Sequence, residues 1–136
     1  MTSGGLGKPY QAGETILKEG EPGDCMYVVQ SGKVELIKGS GPHEICVEEL
    51  GEGDFFGERE LFEKQPRALT VRALSEVRVL SVDQKLLLRK IQEDPSLGFR
   101  IIHKLSRRVR DLETELMNAT RARLDDAQVL LRRVSA

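Results

Sequence analysis

Residues 56–71, Phe56-Gly57-Glu58-Arg59-Glu60-Leu61-Phe62-Glu63-Lys64-Gln65-Pro66-Arg67-Ala68-Leu69-Thr70-Val71, place a Gly-Glu pair ahead of one helical turn, then a loop, then a Pro-Arg-Ala entry into a strand. That order makes a cradle, because the N–H groups opening a helical turn lack intrahelical partners and point away from it. Gly57 lets backbone come close to a ligand. Glu58 offers an acceptor that suits a ribose hydroxyl, and Arg67 offers a rigid cationic fork that suits a phosphate. Phe55 and Phe56 lead into the turn as strand core.

On both sides of this stretch, from Ile16 to Val82, short β-rich runs alternate with Gly, Pro and acidic turns at the spacing of a small all-β barrel or jelly roll. Tyr27/Val29, Val34/Leu36, Ile45/Val47, Val71/Ala73 and Val77/Val79 are apolar pairs two apart, the period of a half-buried strand. Gly20 to Asp24, Ser31-Gly32, Gly39 to Pro42 and Gly51 to Asp54 supply the turns. After Val82 the period becomes helical. Asp83 is placed to cap a helix from Gln84 to Gln92, and Asp94-Pro95 marks a stop and restart.

Ile102, Leu105, Val109, Leu112 and Leu116 then recur at steps of three and four, an apolar seam flanked by charges. Thr120, Leu124, Ala127, Leu131 and Val134 continue the stripe, with four-residue steps that interrupt the heptad. An unbroken helix from Pro95 to Ser135 would run about 60 Å, beyond what the β-domain can cover. Such a seam predicts a parallel homodimer through residues 99–134. The alternative is a bend near Asn118 that folds the tail back. The expected plan is a flexible leader over 1–9, a β-barrel with a short helix over 10–94, and a long C-terminal helix over 95–136.

A length of 136 residues and 39% hydrophobic content suit one domain with a modest core. With 21 basic against 22 acidic side chains the formal net charge is -1, which excludes a general polyanion binder. Arg121, Arg123, Arg132 and Arg133 share their helix with Asp125 and Asp126 and have no aromatic neighbour in sequence, so they read as a solvated face. Cys25 and Cys46 fall in expected strands without metal-ligand spacing and read as reduced, buried thiols, which implies a cytoplasmic setting. No apolar run reaches the length of a membrane span, and the N-terminus has no signal-peptide core. His43 and His103 lack a second ligand at metal spacing. No nucleophile with a base, metal set or Gly-rich triphosphate loop is present, so neither catalysis nor a cofactor is expected.

The 56–71 stretch closely resembles the phosphate-binding cassette of the cyclic nucleotide-binding domain, a family that includes bacterial catabolite-activator-type regulators, kinase regulatory subunits and gated channels. Ile16-Leu17-Lys18-Glu19-Gly20-Glu21-Pro22-Gly23-Asp24-Cys25-Met26-Tyr27-Val28-Val29-Gln30-Ser31-Gly32 is similar to the family's early barrel strands. The resemblance spans residues 10 to 112. It implies a mainly β fold, a jelly-roll barrel (double-stranded β-helix) followed by a long helix, with a cyclic nucleotide as ligand. Glu58 would bind the ribose 2′-hydroxyl and Arg67 the cyclic phosphate, helped by amides around Arg59, Glu60 and Ala68. Phe56, Gly57 and Leu61 complete the cassette, Leu36 and Val47 would flank the base, and Leu112 would cover it. Ala68 has no hydroxyl for a guanine amino group, which points to cyclic AMP over cyclic GMP. The DNA-reading module of the family's transcription factors does not follow the long helix, so no DNA binding by this chain itself is expected.

The cassette departs from the family pattern at three positions. Arg59 stands where Leu is usual, Glu60 where a small residue is usual, and Leu69 where Ala is usual. A carboxylate beside an incoming phosphate opposes it if the side chain points inward, whereas only the amide matters if it points out. Turned inward, Glu60 could pair with Arg67, imitate the phosphate and hold the site shut. Two readings therefore stand: a cyclic nucleotide sensor, or a cassette without ligand that serves dimerisation or protein docking.

Overall fold

The computed structural model describes residues 6–135. Two four-stranded antiparallel sheets make up the β-domain. One runs β1 (Lys8–Tyr10), β8 (Val77–Val82), β3 (Met26–Ser31), β6 (Phe55–Phe56); the other runs β2 (Thr15–Leu17), β7 (Thr70–Ala73), β4 (Val34–Lys38), β5 (Ile45–Leu50). Antiparallel pairing joins β1 with β8, β2 with β7, β3 with β6 and β4 with β5. This nested set is what one long hairpin produces when rolled up, and it is the expected jelly-roll order. All five apolar pairs read from the sequence lie in strands. Val29, Val34, Leu36, Leu50, Phe56, Val71, Ala73, Val77 and Val79 form one buried cluster drawn from both sheets. Between β3 and β4, Gly32 has φ +84, and a Cβ there would run into the Glu76 carbonyl, so only glycine closes this turn without displacement.

Two expectations are corrected. Cys46, expected to be buried, is exposed, and its neighbours Ile45 and Val47 are 65% and 50% exposed. The reason is position: β5 is the edge of its sheet, bonded to β4 alone, and a period of two identifies a strand without saying which face is covered. The expected leader over 1–9 overlaps β1, because Lys8 and Pro9 pair with Val79 and Arg78 of β8. Gly7 anchors that entry, donating to Gln30 Oε1 at 2.7 Å and accepting from Arg78 Nη1 at 2.6 Å. Residues 1–5 of the expected leader lie outside the described residues.

Helix α1 (Glu58–Glu63) sits between β6 and β7, and α2 (Gln84–Glu93) follows β8. Asp83 caps α2 as expected, its Oδ1 accepting from Leu86 N–H at 2.8 Å. Asp94 does the same for α3 (Pro95–Ser135), accepting from Ser96 N–H at 3.2 Å, with Pro95 at the first helical position. Helix α3 runs its 41 residues without a break, so the bend near Asn118 does not occur. Ile102, Val109, Leu112, Leu116, Leu124, Leu131 and Val134 along it are each more than half exposed. The chain divides into two compact units, residues 1–89 and 90–136. Among the described residues no helix is long and apolar enough to cross a membrane, and no group of His, Cys, Asp or Glu could hold a metal ion.

Candidate functional site

Helix α1 is short because both its ends turn left-handed. Gly57 caps its start with φ 81, where a Cβ would stand 3.0 Å from Arg67 Nη1. Lys64 caps its end with φ 54 and donates its N–H to the Glu60 carbonyl at 3.0 Å. Exposed Gln65 and Pro66 then lead to Arg67, whose backbone is clamped on the turn between β2 and β3. Its N–H donates to the Glu21 carbonyl at 2.8 Å, and its own carbonyl accepts from Gly20 N–H at 2.8 Å.

That clamp delivers the Arg67 side chain into a closed setting, with the residue only 5% exposed. Nη1 donates to the Cys25 carbonyl at 2.8 Å and to Glu60 Oε1 at 3.0 Å, and Nη2 lies 3.7 Å from Cys25 Sγ. The guanidinium carbon stands 5.7 Å from the centre of the Tyr27 ring, within reach of a cation–π attraction. Gly23 packs directly against the guanidinium, which any Cβ there would overlap. These bonds engage three of the five donors in the fork.

Glu60 is the second buried charge, also 5% exposed. Of the two orientations open to it, the structure takes the inward one. Burial by itself pulls the Arg67 guanidinium's proton affinity down; hydrogen bonds to Glu60 and Cys25, and the Glu60 charge, outweigh that and raise it. Burial, then the hydrogen bond and charge of Cys25, push the Tyr27 hydroxyl up to about 12, against a smaller opposite pull from Arg67. Tyr27 is therefore a neutral wall, and its ring stacks on Phe56 with centroids 5.3 Å apart and planes 13° apart. What the arrangement offers chemically is a dry cation, already neutralised by one carboxylate of the same chain.

The other expected site residues are distributed as follows. Phe56 and Leu61 are buried, Gly57, Glu58 and Ala68 are half-buried, and Arg59 is exposed. Leu69 packs against the core cluster, so its extra bulk over Ala enlarges the core face. Leu36 is itself a member of that cluster and faces Glu48 across the strands, while Val47 is half exposed on β5. Leu112 belongs to α3 in the second unit and is 55% exposed. Sequence reasoning missed Gly23, Cys25 and Tyr27 as the walls around Arg67. It also missed Lys38, whose Nζ donates to the Ala68 carbonyl at 3.2 Å and pairs with Glu19 at 3.0 Å. Cys25 and Arg67 are 42 residues apart, and no spacing rule connects them.

Comparison with known proteins bears on the family and the fold. The family model described as the cyclic nucleotide-binding domain matches residues 7–94. The chain is 32% identical over 108 residues to the CRP-like cAMP-activated global transcriptional regulator of Mycobacterium tuberculosis (strain ATCC 25618 / H37Rv), covering 79% of this chain and 48% of that protein. It is 46% identical over 70 residues to the cAMP-dependent protein kinase regulatory subunit of Emericella nidulans, covering 52% of this chain and 16% of that protein. Among solved structures, the Thermus thermophilus catabolite activator protein superposes with a TM-score of 0.71 at 30% identity, over 80% of this chain and 52% of that one. The chain thus spans about half the length of the mycobacterial relative.

Proposed function

The chain belongs to the cyclic nucleotide-binding domain family, and from that membership we propose that it is a non-enzymatic sensor module, taking cyclic AMP at its Gly57–Arg67 cassette and passing occupancy on through α3. The observation that supports this reading is Arg67, a guanidinium only 5% exposed at the end of the cassette. A cyclic phosphate brings one negative charge and two free oxygens, a match for the planar fork. Glu58, at the head of α1, accepts the ribose 2′-hydroxyl, and Gly57 lets the sugar approach. Ala68 offers no hydroxyl to a guanine amino group, and the relatives named above as cAMP-activated and cAMP-dependent point the same way. Signalling follows if the ligand prefers one of two states of α3, since only differential affinity shifts an equilibrium.

Titration calorimetry with cyclic AMP and cyclic GMP tests the reading: saturable heat is expected with cyclic AMP, and weaker binding with cyclic GMP. Folded protein that gives neither heat nor a thermal shift at millimolar nucleotide would overturn it. A second reading would then stand, favoured by the Glu60–Arg67 pair: a cassette whose anion seat is permanently filled by the chain itself and which serves docking or dimerisation. Both readings give the exposed seam of α3 a second copy of this chain as its cover, in a parallel pair through residues 99–134. Sedimentation at high micromolar concentration should show a dimer, and a monomer there would remove that part.

A further inference from the structure

The buried ion pair is more specific than the family reading requires. Glu60 and Arg67 come from opposite ends of the cassette, and their side chains are 7% and 4% exposed. We propose that Glu60 is a displaceable internal counter-ion: its carboxylate occupies Arg67 when no ligand is present, and a phosphate-class anion must expel it to bind. For the identity of that anion as a cyclic nucleotide, the inference rests on the reading given above.

The physical grounds lie in what Arg67 would otherwise face. Its backbone is tied at both N–H and carbonyl, and Gly23, Cys25 and Tyr27 wall its side chain, so the guanidinium cannot swing out to water without disrupting the β2–β3 turn. A cation sealed in this way needs an anion in every state of the protein. Glu60 supplies it through a single contact, Nη1 to Oε1 at 3.0 Å, rather than through a two-pronged bridge. A phosphate that engages both edges of the fork can outcompete one such contact. Glu60 is also the third residue of a helix only six residues long, ended by a left-handed Lys64 whose N–H bonds the Glu60 carbonyl. Expelling the carboxylate therefore pulls on α1 and on its C-terminal cap together. Ligand affinity is reduced by the fraction of molecules in which Glu60 holds Arg67, so removing the carboxylate raises it.

A rival role for Glu60 predicts the opposite sign. If Glu60 stays in place and aims Arg67 at the ligand through the unused donors, its loss weakens binding. The deciding experiment titrates cyclic AMP into the full chain as wild type, Glu60→Gln and Glu60→Ala, with thermal unfolding of each in the presence and absence of sodium acetate or sodium sulfate. Affinity should rise on the order of tenfold to a hundredfold in Glu60→Ala, the scale of one charge-assisted hydrogen bond, with Glu60→Gln between. Without ligand the alanine variant should melt below wild type, and acetate or sulfate should return part of the loss while leaving wild type unmoved. Equal or weaker cyclic AMP binding by folded variants overturns the proposal, and so does a melting temperature indifferent to both anions. Should the alanine variant fail to fold, the isosteric Glu60→Gln carries the affinity comparison alone. Anion rescue without cyclic AMP binding by any of the three keeps Glu60 as occupant of the seat and overturns the cyclic AMP reading instead.

Discussion

Arg67→Ala is expected to abolish most cyclic AMP binding and, in the absence of any ligand, to lower the unfolding free energy by about 3–5 kcal/mol. The second effect follows from what remains. Glu60, 5% exposed, loses its ion pair with Arg67 and is left a buried carboxylate without that counter-charge. Against a total stability of about 5–15 kcal/mol for a domain, that loss leaves the fold marginal. Adding Glu60→Gln to Arg67→Ala should recover a large part of it, because the orphan charge is gone; the non-additivity of the cycle measures the coupling. Urea unfolding at neutral pH reads both quantities. Arg72 and Glu44 provide the contrast: they meet two-pronged at 2.9 and 3.0 Å, yet their side chains are 31% and 33% exposed. Solvent there screens the pair, so Arg72→Ala should cost far less than Arg67→Ala despite the better geometry. If Arg67→Ala cost no more than Arg72→Ala, the claim of a sealed, paired cation would fail.

Phe56→Ala is expected to cost about 3–5 kcal/mol, the range for emptying a large aromatic site in a core that cannot collapse. Phe56 is 2% exposed, belongs to the central cluster, and opposes Tyr27 across the β3–β6 ladder. Its ring holds the Tyr27 ring flat, and Tyr27 in turn lies over the Arg67 guanidinium. The cavity therefore opens directly behind the wall of the anion seat, and cyclic AMP affinity should fall along with stability. Phe56→Leu, which keeps most of the volume, should cost less than about 1.5 kcal/mol in unfolding. Equal losses for the two variants would show that the ring stacking, rather than volume, governs the site.

Much of the fold was legible because local rules and the final structure agree. Apolar pairs two apart mark β3, β4, β5, β7 and β8. Asp83 and Asp94 mark helix starts by the same hydrogen bond that the structure shows. Gly57 and Pro66-Arg67-Ala68 mark the cassette by composition and order. Where the reading erred, the missing quantity was always a neighbour. Cys46 reads as a buried strand thiol, but β5 lies at a sheet edge with only β4 beside it. Lys8 and Pro9 look like a tail, but β8 offered them a free edge.

The order of amino acids alone settled a rolled β-domain with a Gly-Glu-to-Arg cassette and a long amphipathic helix, because strand period, helix period, caps and turn glycines are properties of residues close in the chain. Tertiary structure alone decided that Glu60 turns inward to Arg67 and that Gly23, Cys25 and Tyr27 enclose the pair. A turn more than forty residues from Arg67 meets it only once the two sheets have closed, and desolvation then makes a nearby carboxylate the least costly partner for a cation that water can no longer reach.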